Sequence, residues 1–213
     1  AITSPPYWKQ RDYGFEGQVG QEPTPEEYVG RLVKIFGALR RKLKPEGVFF
    51  LIVGDKYFQR YGFSQLLQLP YRLARHMVKD GWRLLDVLIW YKPNHMPSPV
   101  SNRFANTYEP VFVFAKSREN IYLGGPGVLK ITLEQVPWKH TAVFPTRLVI
   151  ELLRRVSIRE GARILDPFAG TGTVGVAAAQ LFPKSKVILV EKGKEFVEIM
   201  KQRLPGSKVI KVK

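Results

Sequence analysis

Residues 163–173 read RILDPFAGTGT, and this stretch decides how the rest of the chain is read. Arg163–Leu165 predicts a short strand that ends at Asp166. Residues 172–181 (GTVGVAAAQL) predict a helix. A strand, a glycine-rich turn and a helix form the context that a nucleotide-type cofactor loop requires. Glycines let the backbone approach a ligand closely, and a helix start offers N–H groups with no partner inside the helix. The next predicted strand, Lys186–Val190, delivers Glu191. An acid at such a strand end can take both hydroxyls of a ribose. The stretch is neither the G-x-G-x-x-G of dinucleotide folds nor the Gly-Lys-Ser/Thr of phosphate loops. A cofactor with a ribose and no phosphates fits it, which points to S-adenosylmethionine.

The alternation of strand and helix continues outward in both directions. Downstream, Glu195–Arg203 predicts a helix and Lys208–Val212 a last strand. Upstream, Thr146–Val156 is an amphipathic helix. Val48–Val53 (VFFLIV) is an unbroken apolar run, as a strand buried on both faces requires. Trp82–Trp90 and Tyr108–Phe114 predict two more strands, with Pro110 suggesting an edge position for the second. Residues 63–79 follow a helical pattern. Thr24-Pro25-Glu26-Glu27 is a helix start, with a capping side chain, Pro at the first position and acids in the first turn. Basic residues Arg40 to Lys44 crowd the far end, and Pro45-Glu46-Gly47 stops it. Residues 9–24, 91–105 and 116–139 read as loop or surface segments. Seven strands alternating with helices predict one α/β domain with a mainly parallel sheet.

A second motif, Thr3-Ser4-Pro5-Pro6-Tyr7-Trp8, follows a short apolar entry that predicts the end of a strand. Two prolines stiffen the backbone and remove two N–H donors, so the segment presents carbonyl acceptors. Ser4 adds a side-chain oxygen, and Tyr7 and Trp8 add flat faces for stacking. Together they describe a pocket for a planar ring bearing an amino group.

The chain has 213 residues, with 34 Lys and Arg against 18 Asp and Glu, a net charge of +16. Residues 1–116 hold 17 basic and 10 acidic groups, and residues 117–213 hold 17 and 8, so the excess belongs to the whole body. Such a field favours a polyanion. The absence of cysteine excludes disulfides, iron–sulfur clusters and thiolate zinc sites, and three scattered histidines do not suggest a metal site. No apolar run is long enough to span a membrane and no leader pattern opens the chain, so an intracellular, cytoplasmic protein is expected.

The two motifs together resemble the amino-methylating DNA methyltransferases of the circularly permuted, beta-type arrangement. In that family a Ser/Asp/Asn-Pro-Pro-aromatic loop precedes the cofactor loop, as Ser4–Tyr7 precedes Asp166–Thr173 here. Intermediate stretches are similar too. Arg41 to Gly47 (RKLKPEG) resembles the family's helix stop, and Ile89-Trp90-Tyr91-Lys92-Pro93-Asn94 its "iWxKpN" segment. Arg103 with Tyr108-Glu109 resembles its "R…yE", and His140-Thr141-Ala142-Val143-Phe144-Pro145 its "HpAxFP" segment. The serine at position 4 resembles the cytosine-N4 branch; adenine enzymes of the family carry Asp or Asn there.

The resemblance implies a Rossmann-like methyltransferase fold, with a seven-stranded, mostly parallel sheet and helices on both faces. It implies base flipping and a catalytic set of Ser4, Pro5, Pro6 and Tyr7, with Ser4 Oγ and the Pro5 carbonyl accepting from the target amino group. It implies that S-adenosylmethionine is held by Thr3, His140, Thr141, Phe144, Pro145, Asp166, Pro167, Phe168, Ala169, Gly170, Thr171, Gly172, Thr173, Glu191 and Lys192. Candidate contacts to double-stranded DNA are Trp8, Lys9, Arg11, Lys56, Arg60, Lys92, Asn94, His95 and Arg103. On this reading residues 1–115 form the catalytic half and 140–213 the cofactor half. Residues 116–139 stand where a target-recognition region would, and are short for it. A restriction–modification role, with a cognate restriction endonuclease as functional counterpart, is the family expectation. Adenine as target, RNA as substrate, a protein amide as substrate and a non-enzymatic nucleic-acid-binding module are the alternatives.

Overall fold

The computed structural model describes residues 1–60, 63–95, 97, 103–117, 121, 123–135, 144–159, 161–205 and 208–211. In chain order these form β1 (Ile2–Thr3), α1 (Pro25–Lys42), β2 (Val48–Ile52), β3 (Tyr57–Arg60), β4 (Phe63–Leu66), α2 (Leu69–Lys79), β5 (Arg83–Tyr91) and β6 (Tyr108–Ala115). They continue with β7 (Val128–Lys130), α3 (Thr146–Leu153), β8 (Arg163–Asp166), α4 (Thr173–Leu181), β9 (Lys186–Glu191), α5 (Lys194–Arg203) and β10 (Lys208–Lys211).

The fold is α/β, as the sequence pattern predicts, but the described residues form ten strands, not one sheet of seven. One sheet has the order β1-β2-β6-β5-β7 and a second β10-β9-β8, while β3 and β4 form a separate hairpin. Strand β6 is antiparallel to β2 and β5; the other pairings in both sheets are parallel. The C-terminal ends of β1 and β8 meet, where Thr3 Oγ1 donates to Asp166 Oδ1 at 2.6 Å. That contact places the two motif-bearing strand ends side by side.

β2 shows why an unbroken apolar run was needed. Phe49 and Leu51 pack towards α1 and α2, alongside Leu32, Phe36 and Leu73. Phe50 and Ile52 pack on the opposite side, with Leu148 and Leu152 of α3 and Val174 and Ala178 of α4. Period-two alternation thus gives one strand to two helical layers. α1 starts as expected: Thr24 Oγ1 accepts from Glu27 N, and Glu26 and Glu27 lie in the first turn.

Three expectations are corrected. Residues 63–79 are not one helix: 57–66 form the hairpin and α2 begins at Leu69. Pro70 explains this, since a helix from 63 would carry it in its interior, where it breaks a hydrogen bond and clashes with the preceding turn. Residues 116–139 contain β7, which extends the sheet beside β5. Three residues are too few to reveal a strand period. β6 is not an edge strand, for it lies between β2 and β5. Its pairing with β2 begins at Val111, one residue after Pro110, so the missing N–H is outside that ladder.

Candidate active site

The two loops that leave β1 and β8 face one cavity of about 690 Å3. Ser4, Pro5, Pro6 and Tyr7 line it from one side; Pro167 to Thr171, with Thr173, line it from the other. Residues 160 and more positions apart in sequence therefore share one space because their strands end together.

The glycine-rich loop is organised by its own backbone and by Glu191. Gly170 N donates to Glu191 Oε2 at 2.7 Å, and Lys192 N and Gly193 N donate to Oε1 at 2.9 and 2.7 Å. Burial raises the Glu191 carboxyl above its usual value, and those three N–H bonds oppose the rise. Gly172 has φ +83°, a conformation glycine adopts without Cβ strain. It caps α4 without a side-chain hydrogen bond. Arg203 Nη1 steadies the loop, donating to the Thr171 carbonyl and hydroxyl at 2.8 and 2.9 Å.

Asp166 and Thr3 were expected to touch the cofactor. Both are fully buried beneath the loop and neither lines the cavity. Asp166 Oδ1 accepts from Thr3 and from Phe168 N, so the pair anchors the turn from below. Burial pushes the Asp166 carboxyl up to about 7 against those two bonds. Gly172 and Pro145 also lie outside the cavity wall, and Phe144 lies in it. His140 and Thr141 fall outside the described residues.

The residues present fit S-adenosylmethionine. Glu191 spends three of roughly four lone-pair positions on backbone and keeps capacity for a ribose hydroxyl. Thr173 Oγ1 is buried without a hydrogen-bond partner, and it stands at the side-chain-uncapped start of α4, a place suited to a carboxylate. The sequence reading gave residues 10–19, the wall's third part, no place in the cavity. Tyr13 meets Phe196 edge-on at 5.9 Å, and the Lys192 ammonium lies 5.4 Å from the Phe15 ring centre. The available signal was two aromatics flanking Gly14 in a polar loop.

The proline loop is held by distant side chains. Tyr28 Oη donates to the Pro6 carbonyl at 2.9 Å, and Lys9 N donates to Gly20 O at 2.7 Å. Ser4 Oγ donates to Tyr7 Oη at 3.2 Å; Tyr7 Oη donates to Glu109 Oε2 at 2.7 Å; Lys92 Nζ sits 2.9 Å from Glu109 Oε1. Burial first, and then the Glu109 charge, holds the Tyr7 phenol well above its ordinary value.

Two expected DNA contacts are corrected. Trp8 is 5% exposed and donates to Glu22 O, because the ring fills the core beside α1. Lys92 is 8% exposed, its ammonium drawn inward by Glu109. Asn94 is spent on a tether, exchanging hydrogen bonds with both backbone groups of Leu133. His95 N donates to Lys92 O at 3.2 Å. Lys9, Lys56 and Arg103 do gather near the proline loop and hairpin. Lys56 Nζ donates to Lys9 O, and the Arg103 guanidinium stacks 4.5 Å from the Tyr57 ring centre. Arg11 lies in the cavity wall. Arg60 ends β3, and its side chain is outside the described residues.

Comparison with known proteins gives a family and a fold. The N6/N4 methyltransferase family model, described as DNA methylase, matches residues 1–202. The Type II methyltransferase M.MwoI of Methanothermobacter wolfeii is 64% identical over 216 residues. The alignment covers 99% of this chain and 32% of M.MwoI, so the chain spans about a third of that relative. Among solved structures, the PvuII DNA methyltransferase (cytosine-N4-specific) superposes with a TM-score of 0.74 at 20% identity, over 98% of this chain and 86% of that one. The M1.HpyAVI complex with S-adenosylmethionine superposes at 0.69 and 19% identity, over 96% and 87%. Both show the fold.

Proposed function

The chain belongs to the N6/N4 DNA methylase family, and on that premise we propose that it methylates the exocyclic amino nitrogen of cytosine in double-stranded DNA, giving N4-methylcytosine. The cofactor is S-adenosylmethionine, which supplies an electrophilic methyl group when bound. The observation that carries the reading is the single cavity shared by the proline loop and the glycine-rich loop. A cofactor on one wall and an amino-bearing ring on the other then lie within one enclosure.

The base must leave the duplex to enter. Ser4 Oγ and the Pro5 carbonyl accept hydrogen bonds from its amino group and localise the nitrogen lone pair. Tyr7, wedged against Gly54, offers a ring for the base to stack on. Glu191, Gly170, Thr171 and Thr173 hold the cofactor, with Phe168 and Phe144 enclosing it. Thr3 and Asp166 support that loop from below. Lys9, Lys56 and Arg103 are the DNA-facing cations we assign. Ser4, rather than Asp or Asn, supports cytosine as the base. The motif order supports the permuted, beta-type arrangement. It divides the domain into a catalytic half (1–115), a short variable segment (116–139) and a cofactor half (140–213). A cognate restriction endonuclease is the partner this activity implies.

The test is direct. The protein is incubated with S-adenosylmethionine and unmethylated plasmid, and the digested nucleosides are identified by mass spectrometry. N4-methylcytosine is expected. N6-methyladenine would overturn the base assignment, and cofactor binding without any methylated nucleoside would overturn DNA as substrate.

A further inference from the structure

We propose that Glu109, acting through Tyr7, fixes the direction of the hydrogen bond that Ser4 makes to the target base, and so makes the pocket a reader of amino groups that rejects carbonyls. The inference deepens the amino-methylating reading and rests on it. Glu109 does not touch the base, so its role is positioning.

Each group along this chain has a fixed number of protons to give. A carboxylate has only acceptor positions, and that of Glu109 pairs with the Lys92 ammonium 2.9 Å from Oε1. Tyr7 Oη, 2.7 Å from Glu109 Oε2, must therefore spend its single proton there. Its oxygen can then only accept from Ser4, which lies 3.2 Å away. Ser4 also has one proton, and Tyr7 takes it. What remains on Ser4 Oγ towards the cavity is lone pairs alone. Burial and the neighbouring charge keep the Tyr7 phenol protonated, so the chain does not reverse by ionisation.

An isolated serine hydroxyl accepts or donates equally well, and would serve a cytosine amino group or a uracil carbonyl. The ordered chain removes that freedom. A carbonyl presented to Ser4 Oγ would place two acceptors face to face, at the cost of an unmet buried polar contact. The buried ion pair at the far end sets specificity at the near end. Lys92 thereby gains a function that its removal from the surface otherwise leaves unexplained.

The test uses duplexes carrying the methylation site mapped by the nucleoside assay, with the target base facing an abasic position so that extrusion costs the same in each. Cytosine is compared with uracil, or adenine with hypoxanthine if the mapped base is adenine. Affinity is read by fluorescence anisotropy with S-adenosylhomocysteine bound. The wild-type protein should prefer the amino base by roughly tenfold or more. In Glu109→Gln the amide can donate, the chain can reverse, and the preference should fall below roughly threefold. Tyr7→Phe cuts the chain while leaving the Glu109–Lys92 pair intact, and should lose the preference in the same way. It decides the matter if Glu109→Gln fails to fold. S-adenosylhomocysteine affinity should stay at the wild-type value in both. Wild-type preference retained in the folded variants would overturn the role of Glu109 and leave the proposed activity standing. No preference in the wild type would overturn the amino-pocket reading beneath it.

Discussion

The two walls of the cavity are built by opposite means. The wall we assign to the cofactor comes from one nearly contiguous stretch and the strand after it. Its hydrogen bonds are mostly backbone N–H groups of Gly170, Lys192 and Gly193 converging on one carboxylate. The wall we assign to the base is four residues long and cannot hold itself. Tyr28 of α1 fixes the Pro6 carbonyl, Glu109 of β6 takes the Tyr7 hydroxyl, and Gly54 after β2 leaves room for the Tyr7 ring. A site that must grip a constant cofactor can be encoded locally. A site that must aim lone pairs at one atom needs side chains from several elements, each placed by the core.

Breaking the anchor beneath the cofactor wall should have the largest energetic effect. Burial holds the Asp166 carboxyl at about 7, against an ordinary 3.8. Between those values the folded protein keeps a proton that the unfolded chain has released. The stability from this group is therefore full below the unfolded value and is lost as pH rises to about 7. At roughly 1.4 kcal/mol per unit, the loss is on the order of 4 kcal/mol. Asp166→Asn should flatten that slope, as checked by urea unfolding of both proteins from about pH 4 to about pH 8.

Ser4→Ala removes the acceptor at the centre of the base wall. Single-turnover methyl transfer should fall roughly 100-fold, a loss of about 3 kcal/mol of transition-state stabilisation. Cofactor affinity by calorimetry should not change. A large rise in the cofactor dissociation constant with normal turnover would reverse the assignment of the two walls.

Two glycine substitutions sharpen the same contrast at a smaller scale. A Cβ on Gly54 would lie 2.5 Å from Tyr7 Cε2, and one on Gly172 would lie 2.8 Å from Met200 Cγ at φ +83°. Each Ala variant should cost about 1–3 kcal/mol through crowding or strain. Gly54→Ala should lower turnover with cofactor binding retained, and Gly172→Ala should weaken cofactor binding first. Identical kinetic signatures would mean that the walls are not separable. The smallest effect is expected far from both: Thr24→Ala removes the α1 cap and should cost about 1 kcal/mol in unfolding free energy, with activity per folded molecule unchanged.

How much was legible follows the same division. The RILDPFAGTGT turn, Glu191 and the Ser-Pro-Pro-Tyr loop could be found because each is short-range: a turn needs glycine, an acceptor-rich loop needs proline. Glu109 was quoted only as part of a similar segment, with no role, because 102 positions separate it from the tyrosine it orders. Lys92 and Trp8 read as surface contacts because charge and aromatic character do not say which way a side chain turns. The aromatics at 13 and 15 were hidden for a related reason, since nothing local ties that loop to β9 and α5.

Apart from the β3–β4 hairpin and β7, the order of strands and helices was set by residue pattern alone, as were the two motif loops and the basic character, because period, glycine, proline and charge act over a few positions. The pairing of β1 with β2, the meeting of Thr3 with Asp166, the inward turn of Lys92 and the proton order from Glu109 to Ser4 were decided only by the folded sheet. They depend on which strand ends lie together, and burying β2 between two helical layers is what brings those ends together.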